Sequence, residues 1–221
     1  MALYPVFLKL EGRKVLIVGA GAVAEQKIEG VLRSATDVTV IAPQIGPRIR
    51  AWAQEGRLTH IAQEFSSGMA HGYFLVIAAT DSEAVNHAVY AEAKAAGALC
   101  NAVDDMPYCD FYAPALVSRG EFQIAISTGG NSPSLAQHIR KDLESEYGPE
   151  YEAWTAWLGR MRSALRTVLP RGEKRKELLN LLALSQPKMA FTEPIQGGNH
   201  GVLATGCTGS AAERSAERTP A

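Results

Sequence analysis

Residues 15–27 read VLIVGAGAVAEQK. Four branched apolar residues run into two glycines, and a stretch with helix-like spacing follows. Within it Gly19, Gly21 and Ala24 match the pattern GxGxxA. Alone that pattern is weak. It gains weight when it follows a strand, opens a helix and leads to a second strand. The reason is steric. Gly19 suits a tight turn, Gly21 has no Cβ to keep the backbone from a pyrophosphate, and Ala24 lets the helix pack close to the sheet. Free N–H groups at the helix start, here those of Ala22 and Val23, attract phosphate. The bland reading is a glycine-rich connection that binds nothing.

The surrounding pattern supplies the context. Lys14–Val18 reads as a strand, and Ala22–Arg33 carries Val23, Ile28, Val31 and Leu32 at near-helical spacing. Val38–Ile41 is a second strand, stopped by Pro43. Pro47 opens a helix through Ala53, and Leu58–Ile61 and Tyr73–Ala78 are further strands. Asp81 is positioned to cap a helix over Ser82–Ala96, which Gly97 terminates, and Leu99–Val103 is a fifth strand. Strands alternating with helices imply a parallel sheet covered on both faces.

After residue 112 the alternation stops. APALVSRGEFQIAIS predicts an antiparallel hairpin turning around Ser118-Arg119-Gly120. STGGNSPS (Ser127–Ser134) is a second glycine-rich loop, with Ser132 as cap and Pro133 at the first helical position. Leu135, Ile139 and Leu143 mark the helix behind it, and Glu150–Leu169 and Glu173–Leu184 read as two more. The segment Phe191–Ala221 is poor in large apolar groups and reads as a disordered tail. The expected fold class is α/β. A Rossmann-like doubly wound parallel sheet (residues 1–112) is followed by a small hairpin-plus-helix segment for dimerisation and substrate (113–148), a helical domain (149–190) and the tail (191–221).

Composition narrows the function. The 221 residues are 47% apolar and 20% charged, with a formal net charge of −1, which argues against a general nucleic-acid binder. No apolar run reaches the roughly 18 residues of a membrane span, and the N-terminus lacks a signal-peptide pattern. A cytoplasmic location is the expectation. Three scattered cysteines and five scattered histidines give neither a disulfide framework nor a recognisable metal site. Each histidine reads as an ordinary satisfied side chain rather than a ligand.

The carboxyl ends of the strands are where a doubly wound sheet binds ligands. One such end carries AATD, where small residues and Thr80 allow a cofactor to lie against the backbone. Another carries NAVDD, whose Asp104 is placed to take a proton or hold a cationic group. The plain alternative is an acidic loop. The second strand ends in Ile41-Ala42-Pro43-Gln44, without the acid that often binds the cofactor ribose, so backbone groups or Gln44 must do so. Arg48 lies too far along to serve as the expected partner of a 2′-phosphate. The loop Thr128–Asn131 offers hydroxyl and N–H groups to an anion. Residues 150–176 hold seven basic side chains against three acidic ones: either a solvated face or a rim that attracts a polycarboxylate.

Taken together, YPVFLKLEGRKVLIVGAGAVAEQK, VIAP, AATD, NAVDD and STGGNSPSLAQHIRKDLE resemble, in that order, the precorrin-2 dehydrogenase/sirohydrochlorin ferrochelatase family. The family includes the N-terminal region of siroheme synthases. The resemblance covers roughly residues 1–185, and the chain's length leaves no room for the methyltransferase domain of a full siroheme synthase. It implies NAD as cofactor, oxidation of precorrin-2 to sirohydrochlorin, Fe2+ insertion in many members, and a homodimer held by the hairpin and following helix. It implies NAD contacts from Gly21, Ala22, Val23, Pro43 and Gln44, joining Gly19 and Thr80 from the strand ends. It puts Asp104 in the role of general base, with a part in metal insertion. The tetrapyrrole falls to the loop Thr128, Gly129, Gly130 and Asn131, where Thr128 replaces the family's second serine but keeps the hydroxyl. No resident metal is expected. The competing reading is a regulatory module that senses NAD without chemistry.

Overall fold

The computed structural model describes residues 3–185. The predicted tail, Phe191–Ala221, and the end of the predicted helical domain lie outside the described residues.

Five strands form one parallel sheet: β1 Lys14–Val18, β2 Asp37–Ile41, β3 Thr59–Ile61, β4 Leu75–Ala78 and β5 Leu99–Ala102. Their order is β3-β2-β1-β4-β5, so the chain reverses direction of travel between β1 and β4. In register, Val15 faces Val38 on one side and Leu75 on the other. That reversal is the topological switch point, where a doubly wound sheet opens a crevice beyond its carboxyl edge.

Alternation along β1 explains the two layers. Val15 and Ile17 point to one face, where they pack with Ala24 and Ile28 of α1 (Ala22–Val31) and Ile49 and Trp52 of α2 (Pro47–Gln54). Leu16 and Val18 point to the other, against Val89 and Ala93 of α3 (Glu83–Ala95). All four β1 side chains are essentially inaccessible. A strand buried on both faces needs a continuous apolar run, and VLIV provides it. Each such side chain contributes roughly 1.5–3 kcal/mol by leaving water.

One prediction needs correction. Asp81 does not cap α3. The helix begins at Glu83, and the Ser82 hydroxyl accepts from the N–H of Val85 at 3.4 Å. The N-cap is the residue just before the first helical position, which Ser82 occupies, so Asp81 is one residue too early.

Beyond the sheet, β6 (Ala115–Arg119) and β7 (Phe122–Ile126) pair as a separate two-stranded sheet. Three helices follow: α4 Pro133–Glu146, α5 Glu150–Val168 and α6 Glu173–Leu184. By compactness the chain divides into two units. One comprises residues up to Ser118 together with Gln123–Glu146; the other comprises Arg119–Phe122 and the chain from Tyr147. In the second unit Phe122, Tyr147, Tyr151 and Trp154 form a chain of aromatic contacts, with ring centroids 5.1–5.7 Å apart. No helix among the described residues is long and apolar enough to cross a membrane.

Candidate functional site

The first glycine turn follows β1 at the carboxyl edge of the sheet. Gly19 has φ +106, and a Cβ there would overlap the carbonyl of Ala79, whose carbon lies 2.6 Å away. Ala79 directly follows β4, so this contact closes the switch point itself. Glycine is required here by close approach as well as by backbone angle. Gly21 differs. It is extended (φ −71, ψ −178), and a Cβ there would meet nothing within 4 Å. The space in front of Gly21 is open.

Gly21 is also the N-cap of α1, and no side chain caps that end. The first i→i−4 bond runs from Glu25 N–H to Gly21 at 2.9 Å, so the N–H groups of Ala22, Val23 and Ala24 precede the helical ladder. Uncapped donors, a helix dipole and open space fit a pyrophosphate.

Two further elements flank the turn. Pro43 and Gln44, after β2, line a shallow depression with Ile45, Arg50, Ala53, Gln54 and His60. Nε2 of His60 lies 2.9 Å from the Ala42 carbonyl oxygen. Arg48 is turned away from phosphate recognition: it pairs with Glu25 at 3.4 Å and Glu29 at 2.9 Å, and lies over the Trp52 ring. After β4, Thr80 is locked by Asn86. The Thr80 hydroxyl donates to Asn86 Oδ1 at 2.7 Å, and Asn86 Nδ2 donates to the Thr80 carbonyl at 3.0 Å. Asn86 is buried. Sequence reasoning missed it, because a lone asparagine within a helix carries no signal until the loop six residues earlier folds over it.

Asp104 lies on the same carboxyl edge. It sits in a turn closed by Asp105 N–H to the Ala102 carbonyl at 3.2 Å, with φ +63. Among the described residues it is the one non-glycine with positive φ. The third position of such a turn ordinarily takes Gly or Asn. Backbone strain of this kind costs about 1–3 kcal/mol and tends to gather at functional sites. The carboxylate is exposed.

The loop behind Asp104 is braced against β5. Asn101 Nδ2 donates to the Phe111 carbonyl at 2.8 Å, and the Cys100 N–H donates to Asp110 at 3.1 Å. Asp110 also binds Lys94 at 2.5 Å, which raises the lysine pKa through the hydrogen bond first and the charge second. Burial pushes the Cys100 thiol up to about 12, with Asp110 adding to the rise, so Cys100 stays protonated at neutral pH. Burial raises Cys109 as well. Asp105 pairs with His87 at 2.6 Å, an arrangement the sequence did not suggest, since the two lie eighteen positions apart.

The second glycine loop, Thr128–Asn131, packs on this turn: a Cβ at Gly130 would come 2.8 Å from Met106 Sδ. Its donors are largely used internally. Ser127 Oγ accepts from Gly129 N–H, Thr128 Oγ1 accepts from Ser132 N–H, and the Thr128 carbonyl accepts from both nitrogens of Asn131. The sequence offered these groups to an anion. Folding a tight turn consumes most of them and leaves the Thr128 O–H proton and the N–H groups of Thr128 and Gly130. Ser132 caps α4 as expected, accepting from Leu135 N–H at 3.3 Å.

The structure therefore brings Gly19, Gly21, Ala22, Val23, Pro43, Gln44, Thr80 and Asp104 to one sheet edge, with residues 128–131 against the Asp104 turn through Met106.

Known proteins share this fold. A model described as putative NAD(P)-binding matches residues 6–115, and one described as sirohaem biosynthesis protein central matches residues 119–146. The solved structure of SirC, a precorrin-2 dehydrogenase, superposes with a TM-score of 0.70 at 31% identity, covering 81% of this chain and 89% of SirC.

The chain belongs to the precorrin-2 dehydrogenase and siroheme synthase family.

Within that family, the siroheme synthase of Actinobacillus pleuropneumoniae (serotype 3) is 35% identical over 192 residues, 87% of this chain and 40% of its own. Siroheme synthase 1 of Cronobacter sakazakii is 43% identical over 145 residues, 66% of this chain and 31% of its own. The chain thus spans well under half the length of these siroheme synthases.

Proposed function

We infer that this chain is an NAD-dependent precorrin-2 dehydrogenase, oxidising precorrin-2 to sirohydrochlorin. The observation that carries the reading is the common edge. The uncapped glycine turn and the strained carboxylate of Asp104 follow β1 and β5, which flank β4 on either side. At about 4.8 Å per strand their ends are some 10 Å apart, a span suited to a nicotinamide and a flat macrocycle side by side. The likeness to SirC supports the substrate.

Gly19, Gly21, Ala22 and Val23 would hold the pyrophosphate, Pro43 and Gln44 the adenosine side, and Thr80 the nicotinamide side. Bound NAD+ supplies a hydride acceptor. The work of the chain is orientation and proton handling. The Asp104 carboxylate would take an N–H proton from the substrate as a ring-bridging carbon gives up its hydride to the acceptor, for an overall balance of precorrin-2 and NAD+ to sirohydrochlorin, NADH and one proton. Thr128 O–H and Gly130 N–H bind substrate carboxylates. NAD+ is favoured over NADP+ because Arg48 is already neutralised by Glu25 and Glu29.

Residues 1–112 are then the cofactor domain, 113–148 the dimerisation and substrate segment, and 149–190 the helical domain. A homodimer is supported by the hairpin. Two strands alone are marginal in water, and α4 buries only Ala136 while leaving Leu135 exposed. Free Cys100 and Cys109 suit a reducing cytoplasm. Fe2+ insertion into sirohydrochlorin, which displaces two pyrrole protons, is a second activity of the same site, with Asp104 accepting one of them and water the other.

The test is anaerobic incubation with precorrin-2 and NAD+, following the sirohydrochlorin spectrum. We expect turnover with NAD+ above that with NADP+, and a fall of about 10²–10⁴-fold in Asp104→Ala with NAD+ affinity kept. Absence of sirohydrochlorin with the unmodified chain overturns the reading. Normal turnover in Asp104→Ala removes that residue from the mechanism.

A further inference from the structure

We propose that Cys109 is a positioning residue: its thiol staples the turn that carries Asp104, and its purpose rests on the role proposed for that carboxylate. The turn runs from Ala102 to Asp105. It is closed by Asp105 N–H to the Ala102 carbonyl at 3.2 Å, with Asp104 at φ +63. Cys109 Sγ lies 3.1 Å from the Ala102 carbonyl oxygen and 3.2 Å from the Asp105 carbonyl oxygen. One thiol proton is therefore shared between the first and last residues of the turn.

The thiol is itself held from behind. Asn101, on β5, is buried, and its Nδ2 donates to Cys109 Sγ at 3.1 Å and to the Phe111 carbonyl at 2.8 Å. The backbones of Asn101 and Cys109 form an isolated antiparallel bridge. A single 3-10 turn, Met106–Tyr108, returns the chain from Asp105 to Cys109, and Tyr108 N–H donates to the Asp105 carbonyl at 3.0 Å. Burial raises the Cys109 pKa, so the group stays a thiol, and a donor, at neutral pH.

A residue other than glycine keeps a left-handed φ only where its surroundings over-determine it. The turn's own hydrogen bond does not do so, because a four-residue turn closes the same bond with negative φ at its third position. The thiol adds a second tie across the same two residues and anchors it to β5 through Asn101. Without that tie the turn is free to relax toward negative φ at Asp104, and the rotation re-aims the carboxylate. Cysteine suits the position because one atom donates to the carbonyls and accepts from an amide. Alanine does neither; serine does both with a shorter reach. The fold depends less on the thiol, since the Ala102 and Asp105 carbonyls each keep a backbone N–H partner. The aim of a reacting group is less forgiving: a displacement of about 1 Å costs up to about 10²-fold in rate.

The experiment is anaerobic steady-state dehydrogenation of precorrin-2 with NAD+ by the full chain. Cys109→Ala and Cys109→Ser are each made in the unmodified chain and in Asp104→Ala. Hydrogen exchange at the Asp105 amide is followed by NMR on the same proteins, without cofactor or substrate. We expect Cys109→Ala to lower kcat about 10-fold, as a small displacement of a reacting group does, with KM for NAD+ unchanged. Asp105 N–H exchange should quicken about 10-fold as the turn opens. Cys109→Ser should restore most of both. In Asp104→Ala, the further change Cys109→Ala should leave the residual turnover where it was, because nothing remains to be positioned. An unchanged kcat in Cys109→Ala, or exchange at Asp105 no faster than in the unmodified chain, overturns the proposal. So does an equal fractional loss of turnover in both backgrounds, which makes the thiol a support of the fold rather than of the carboxylate. An unmodified chain that forms no sirohydrochlorin sinks the proposed function, and the exchange rates still decide whether the thiol holds the turn.

Discussion

The chain has two glycine loops that each open a helix, and they use their backbone donors in opposite ways. The loop before α1 has no capping side chain, so the N–H groups of Ala22–Ala24 are left over. The loop before α4 is knotted by its own hydroxyls and amides through Ser127, Thr128, Asn131 and Ser132. A helix start that keeps its donors open has N–H groups to offer an anion. One that closes them is built to hold a shape, and contributes to recognition through the few groups left outside the knot. Composition cannot separate the two, since both are runs of glycine and small residues.

The largest test of this difference is within the first loop. Gly19→Val places a branched side chain on the Ala79 carbonyl at φ +106, so two strand ends must separate. Strain of about 1–3 kcal/mol adds to the overlap, and we expect several kcal/mol lost in urea unfolding along with cofactor binding. Gly21→Asp should do the reverse. Nothing lies within 4 Å of its Cβ, so stability stays near that of the unmodified chain. An acid in front of the uncapped helix then repels the pyrophosphate, and NAD+ affinity falls about 100-fold, or about 2.7 kcal/mol. Unchanged affinity by calorimetry would make that turn a purely structural one.

How much of this was visible in the sequence follows from range. VLIV needed only its own composition to be read as a strand, and it came out over the predicted residues, Lys14–Val18. The Glu173–Leu184 helix did too. Gly19 was marked as special, but the reason found in the structure, the Ala79 carbonyl sixty positions on, was out of reach. The α3 cap was misread by one residue, because Asp81 and Ser82 are both good caps and the helical register chooses between them. His87 had been set aside with the other histidines. Its pairing with Asp105 depended on β5 lying beside β4.

The second loop should respond more gently and in another quantity. Thr128→Val removes the oxygen that accepts from Ser132 N–H at 3.1 Å, together with the free O–H. We expect about 1 kcal/mol of destabilisation and a raised KM for precorrin-2 with NAD+ affinity intact. Thr128→Ser keeps the hydroxyl and should keep both. A fall in NAD+ affinity in Thr128→Val would tie the two loops into one site and abolish the contrast.

The smallest effect expected sets a glycine of the second loop against Asp104. Gly129 has φ +62 and Asp104 has φ +63, so the same left-handed φ is occupied once by the residue suited to it and once by one that is not. Gly129→Ala should cost up to about 1 kcal/mol or somewhat more, because alanine enters a region that glycine occupies freely. Asp104→Gly should raise the unfolding free energy by a few tenths of a kcal/mol, as strain relief is partly offset by the greater freedom of an unfolded glycine. It should at the same time lose turnover as Asp104→Ala does. A carboxylate kept where a glycine would be more stable is one retained for chemistry. If Asp104→Gly proved less stable, the turn would be held by the aspartate itself, and the case for strain at this edge would fall back on the position of the carboxylate alone.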